Sequence, residues 1–302
     1  MMARWLRKGV FPAAIVAAQL FLLTRNAAWA GDGFLPRGLT AGHGGRVVAV
    51  VDGDTLRLDD GRTVRLAGIQ APQLPGVRDG GPRGRARAPR GDVAPWPLAD
   101  AAKKALAALA QGKFFALYFA GRRRDRYGHL LAQVVGRDGV WLQGRMLALG
   151  LARVYPFADN RTVTKTLYAR ERVARAARRG IWAQAFYAPR RPDTAQADIG
   201  SFQVVEGRVR AVAVVRGTAY LNFGVNWRND FTVKIPKKAL KKYHDVHGDP
   251  LTLKDRTVRV RGWIGSENGP MIVLTHPEAL EVVGVGPHEE TKANKKETDK
   301  GR

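Results

Sequence analysis

The tripeptide Asp59-Asp60-Gly61 constrains this chain most, because it stands between two runs of strand-forming residues, 46–58 and 62–69. Asp-Gly between such runs favours a tight hairpin turn, so the two runs are expected to pair antiparallel. The pairing has a chemical consequence. Asp52 and Asp54 sit at a tight turn in the first run, and Arg65 lies a short hairpin away. Hard cations take oxygen ligands, and phosphates take a bidentate guanidinium. Two carboxylates and an arginine are therefore parts of a metal-assisted phosphodiester site. The plainer alternative is turn chemistry, in which both aspartates only close the backbone.

Beyond the hairpin, Leu98, Ala102, Ala105, Leu106 and Leu109 share one face of an expected helix. Residues 113–119 and 130–136 read as strands flanking the turn Arg122-Arg123-Arg124-Asp125-Arg126-Tyr127-Gly128. Residues 140–150 and 161–179 read as helices, the second with Gly180 as its C-cap. A second unit starts near Ile199, with strands expected at 202–215, 218–223, 230–235, 257–264 and 271–274. Thr275-His276-Pro277-Glu278 looks like a helix start with proline in its first turn. Several short strands and one helix suggest a small OB-like barrel. The expected organisation is a signal segment (1–30), a glycine-rich leader (31–44), a first domain (45–188) with a basic loop at 74–97, a second domain (199–285) and a disordered tail (286–302). The fold class is thus mainly β with helices.

The chain carries a net charge of +25 and has no cysteine. Four cations and no acid lie in the first thirty residues, which leaves +21 on the remainder. Such a charge is the footprint of a polyanion binder: nucleic acid, or an anionic surface. Absence of cysteine excludes thiolate metal sites and disulfides. Arg4, Arg7 and Lys8 precede an apolar run from Val10 to Leu23, and Ala28-Trp29-Ala30 offers a small-x-small cleavage site after Ala30. Export to the periplasm or medium is expected, with no membrane span once the signal is removed; retention as an anchor is the alternative. Ser201 and Ser266, the two serines, lie in no nucleophile-elbow pattern, and no phosphate-binding glycine loop followed by Lys-Ser/Thr occurs.

In order along the chain come Asp52-Gly53-Asp54-Thr55, then Arg65-Leu66-Ala67-Gly68-Ile69-Gln70-Ala71-Pro72, then Asp125-Arg126-Tyr127-Gly128 and a closing Gly180-Ile181-Trp182. This series closely resembles the staphylococcal-nuclease-like, or thermonuclease, family over roughly residues 45–185. The resemblance implies a five-stranded OB-type barrel with helices, and calcium-dependent hydrolysis of DNA and RNA. It makes Asp54 a calcium ligand with Asp52 its neighbour, joined by Gln70 and the backbone oxygen of Ala71. It makes Arg65 the grip on the scissile phosphate and Tyr155 a wall of the nucleotide pocket.

The departures from the family pattern are Gln70, where the family has a second metal-binding aspartate, Gln73, where it has a general-base glutamate, and His129, where it has a second phosphate-gripping arginine. Glutamine brings calcium no negative charge, and its amide takes no proton from water; loss of a general base costs about 10²–10⁴ in rate. Histidine is also a poorer clamp than a permanently charged guanidinium. The site reads as degraded, so binding with weak or no hydrolysis is expected. A working calcium-dependent nuclease with Asp79 or Asp92 as substitute base is the alternative, and an envelope protein binding anionic surfaces is a third reading. In the second unit, aromatics from Tyr220 to Phe231 among Arg228, Lys234, Lys237 and Lys238 suit either a core or a single-strand stacking platform. His244 and His247 lack further ligands and read as a solvated face.

Overall fold

The computed structural model describes residues 38–74, 96–226 and 228–283. The expected signal segment, residues 75–95 of the basic loop with Asp79 and Asp92, Trp227 and the tail at 286–302 lie outside the described residues. No described helix is long and apolar enough to cross a membrane.

Five strands close a barrel in the order β1-β2-β3-β6-β5: β1 (Thr40–Asp52), β2 (Thr55–Leu58), β3 (Thr63–Leu66), β5 (Phe114–Phe119) and β6 (Leu130–Gly136). β4 (Ile69–Gln70) pairs with β7 (Arg153–Val154) outside the ring. Helix α1 (Ala99–Ala110) packs on β1, and α2 (Leu142–Ala148) and α3 (Thr164–Ala176) pack on each other. The inward alternation of Val47, Leu56, Leu58, Val64 and Leu66 meets Phe115, Leu117, Leu106 and Leu147 in one core. Most strand pairs are antiparallel, but β3 and β6 are parallel, which requires the long crossover that α1 and β5 supply.

Two details differ from the sequence expectation. The run 46–58 is not one strand: it reverses at Gly53-Asp54, so the aspartates sit in a hairpin of their own. Gly53 is required there, since a Cβ would lie 2.7 Å from both Ala102 and Ala71. Residues 40–44, expected in the leader, form the first part of β1, which pairs there with β5. Their glycines read as punctuation in sequence, yet at Gly42 a Cβ would collide with the Phe119 ring, and at Gly44 with the Phe115 carbonyl.

The second unit has its own core, built on Val205, Leu221, Phe231, Val233, Tyr243, Val260 and Ile272. Its strands are β8 (Phe202–Arg208), β9 (Ala211–Val215), β10 (Thr218–Asn222), β11 (Thr232–Ile235), β12 (Thr257–Ser266), β13 (Pro270–Val273) and β14 (Leu280–Val282). They pair as one seven-stranded sheet rather than as a separately closed ring, so the expected second barrel is not what the pairing describes. The order of pairing nevertheless echoes the first unit. β9 pairs β10, β10 pairs β11, β11 pairs β13 in parallel, β13 pairs β12, and β12 pairs β8. The run 202–215 breaks between β8 and β9 at Val209 and Arg210, where Val209 bonds Arg256 and Arg210 bonds Asn222. Helix α4 (Lys237–His247) packs Ala239 and Tyr243 inward. The expected helix at Thr275 is one 3₁₀ turn, Pro277–Ala279, because β14 follows at once.

Buried polar contacts join the units. Arg261 of β12 donates to both Glu171 oxygens, at 3.0 and 2.8 Å, and to the Val154 carbonyl at 3.0 Å. Arg153 donates through Nη2 to the Phe202 carbonyl at 2.9 Å, and Arg161 forks onto Glu278.

Candidate nucleic-acid site

The β1–β2 hairpin points Asp52 and Asp54 inward, and both are about 98 % buried or more. Asp54 carries its own order: Oδ2 accepts from the Ala71 amide at 2.9 Å and Oδ1 from the Thr55 hydroxyl at 3.1 Å. Asp52 Oδ1 accepts from the Asp54 amide at 2.9 Å. Burial first, and then the neighbouring Asp54 charge, push the Asp52 carboxyl up to about 7. Arg65 of β3 faces them from the adjacent strand and is only 7 % exposed. Its contact to Asp54 Oδ2 is loose, at 3.8 Å, and its Nη2 is buried with no hydrogen-bond partner. Burial opposes its charge, but Asp54, Tyr155, Asp52 and Asp125 outweigh that and hold the guanidinium above its ordinary value. A buried, charged and under-bonded guanidinium is incomplete without an anion.

The glutamines are already engaged. Gln70 Oε1, the one atom with which it can ligate calcium, accepts from Arg153 Nε at 3.0 Å, and its Nε2 has no partner. Gln73 turns its Nε2 back onto the Ala71 carbonyl at 3.0 Å, while its own Oε1 has no partner. Both neutral ligands expected for calcium thus face nitrogen donors. Among the described residues no cluster of three or more histidines and carboxylates could hold a metal. The donor set does not fit the calcium that the resemblance implies.

Arg65 lines a cavity of about 680 Å³ between the two units, and Tyr155 lines it too. His129 is absent from the lining: its Nδ1 bonds Asp125 Oδ2 at 3.0 Å. The cations nearest that role are Arg122 and Arg126, from the arginine-rich turn that precedes it. Tyr155, which the resemblance makes a wall of the nucleotide pocket, lines the cavity but is only 4 % exposed. Its ring meets Phe157 and Phe202 at 4.9 and 4.4 Å, and its hydroxyl accepts from Trp263 Nε1 at 2.8 Å. Phe202, Arg261, Trp263 and His276, which sequence reasoning missed, give the cavity its far wall. Nothing local in the sequence marks them, whereas Arg122 and Arg126 stood beside a recognised motif. Burial first depresses His276, to about 4, and leaves it neutral.

The staphylococcal nuclease homologue family matches residues 63–184. A protein of Escherichia coli O157:H7 described as an uncharacterized endonuclease is 33% identical over 145 residues, 47% of this chain and 78% of that protein. The Escherichia coli counterpart gives the same figures. Endonuclease YncB of Bacillus subtilis (strain 168) is 30% identical over 145 residues, covering 47% of this chain and 62% of that protein. The family match takes in Arg65, both glutamines, His129 and Tyr155, and ends before β8.

Proposed function

The chain belongs to the staphylococcal nuclease family, and from that premise we propose that it binds the phosphodiester backbone of nucleic acid at Arg65 and hydrolyses it slowly or not at all. The observation that carries this reading is the Arg65 guanidinium: buried, charged, loosely paired and facing a cavity of nucleotide size. Asp54 orients it, and the phosphate supplies the missing acceptors. The reading of weak chemistry is supported by Gln73, which has no basic atom for a water proton, and by the engagement of Gln70 and the Ala71 carbonyl. No step is routed through calcium.

The endonuclease names of the bacterial relatives favour a second reading, phosphodiester hydrolysis, which with glutamine at position 73 would need a substitute base. One experiment separates the two. Purified protein is incubated with long single- and double-stranded DNA and RNA, with calcium or chelator, beside Arg65→Ala. The first reading expects intact substrate that shifts on a gel. It also expects log affinity to fall steeply with log salt, the slope becoming shallower by about one in Arg65→Ala. Calcium-dependent cleavage lost in Asp54→Ala would install the second reading. A slope unmoved by Arg65→Ala would remove this cavity as the nucleic-acid site. The charged n-region, the apolar run and Ala28-Trp29-Ala30 support export as the setting, and N-terminal sequencing of the recovered protein should begin at Gly31.

A further inference from the structure

The family match stops at residue 184, yet the cavity holding Arg65 does not stop there. Strand β12 of the second unit lines it from Arg261 to Ser266. Side chains two apart on a strand share a face, so Arg261 and Trp263 leave β12 on the same side. Arg261 goes into the first unit and is fixed there by Glu171 and the Val154 carbonyl. Trp263 is thereby held over the pocket, half-buried, its indole nitrogen on the Tyr155 hydroxyl at 2.8 Å. Phe202, at the start of β8, fills the gap, 4.4 Å from Tyr155 and 6.5 Å from Trp263 between ring centroids. The result is a continuous aromatic wall, half from each unit, facing the same space as the under-bonded guanidinium.

We propose that the second unit forms half of the nucleotide site: an unpaired base of a single strand, whose phosphate lies on Arg65, stacks on Trp263. The proposal rests on the reading that Arg65 receives a nucleic-acid phosphate. Three observations carry it. Tyr155 is closed in by Phe157 and Phe202, and its hydroxyl is taken, so of Tyr155, Phe202 and Trp263 the larger and more open ring is Trp263. Arg65 is recessed, so a phosphate that reaches it must bring its own nucleotide into the cavity. A space of about 680 Å³ suits one nucleotide and its neighbour, whereas a duplex keeps its bases paired along its axis and out of such a recess. The charge balance agrees. Of the acids that line the cavity, Asp125 is engaged by His129, Asp159 is paired with Arg122 and Glu267 with Lys234, while Arg65 remains loosely held.

The test uses the full chain, a fluorescent oligodeoxythymidylate and a blunt duplex of equal length, with anisotropy titrations in chelator. Stacking on one aromatic is worth roughly 5- to 150-fold in affinity. Trp263→Ala should weaken single-strand binding by a factor in that range and leave duplex binding within twofold. Trp263→Phe, which keeps a ring but loses the bond to Tyr155, should recover most of the loss. In the unmodified protein, an oligonucleotide carrying 5-iodouracil should crosslink on irradiation to the peptide containing Trp263. That arm needs no variant and stands even if Trp263→Ala fails to fold. Crosslinks confined to residues before 184, or single-strand affinity unchanged in a folded Trp263→Ala, would overturn the proposal. If Arg65→Ala still weakens single-strand binding in that case, only the second unit's part falls. If Arg65→Ala changes binding of neither substrate, the parent reading falls with it.

Discussion

Replacing Arg261 by methionine should cost about 3 kcal/mol of stability. The guanidinium is almost fully buried and makes four hydrogen bonds: two to Glu171, one to Glu281 and one to the Val154 carbonyl. It also lies over the Tyr168 ring at 4.5 Å. Methionine of similar length fills much of the volume but leaves the Glu171 carboxylate buried, with only the Val154 amide and Arg175 as partners. Stranding one member of a buried pair costs about 3–5 kcal/mol, and the two surviving partners argue for the lower end. At about 2–4 °C per kcal/mol for a protein this long, Tm should fall by about 6–12 °C. Burial opposes the charge on Glu171, but Arg261 holds its pKa below the ordinary value. That part of the stability is present above the unfolded carboxylate pKa and lost as pH falls through the folded one, so the penalty should shrink in acid. Urea unfolding followed by circular dichroism measures it, with Glu171→Gln and the double variant closing a cycle. Removing both charges should recover more than half of the loss. A cost below about 1 kcal/mol, or a double variant no better than the sum of the singles, would refute the assignment of this pair as the tie between the units.

Two further outcomes follow from buried groups. His276 is neutral when folded, at about 4, and takes a proton more readily when unfolded, near 6.5. The unfolded state therefore binds more protons between these values, and stability should fall by about 3 kcal/mol as pH drops through that window; His276→Phe should flatten the slope in urea titrations relative to the parent, and an unchanged slope would exonerate this residue. Gln70→Asp alone should leave calcium affinity unchanged by calorimetry, since the new carboxylate would meet Arg153 where Oε1 now lies at 3.0 Å. A tenfold gain would mean that position 70 still faces the metal side of the turn.

The first barrel was legible because its signals are local. Asp59-Asp60-Gly61 marked the hairpin that joins β2 to β3, and Asp54 and Arg65 stood out as a carboxylate and an arginine a short hairpin apart. Residues 40–44 were missed because glycine in sequence reads as looseness, whereas here it answers a close approach by β5, visible only once the barrel closes. The cavity's far wall was illegible for a different reason. Arg261 and Trp263 meet partners at Glu171 and Tyr155, 90 and 108 residues away. In a chain of 51 lysines and arginines, nothing in composition separates the buried guanidiniums that tie two units from the many that face water. The engaged state of Gln70 is equally non-local, since Arg153 sits 83 residues on.

Arg153 links what sequence treats as separate facts, the glutamine at position 70 and the presence of a second unit. Its Nε is held by Gln70 and its Nη2 by the Phe202 carbonyl at the first residue of β8. Burial lowers its pKa to about 10, so it stays charged at neutral pH and must be held on every side. Its guanidinium also lies over the Phe202 ring at 5.0 Å. Gln70 has one acceptor oxygen, and Arg153 takes it; were that oxygen turned to a cation instead, Arg153 would be short of an acceptor in a place water does not reach. The two demands compete for one oxygen. Docking the second unit through Arg153 and engaging the Gln70 oxygen are therefore one arrangement, and the same docking brings Trp263 to the pocket that Arg65 lines.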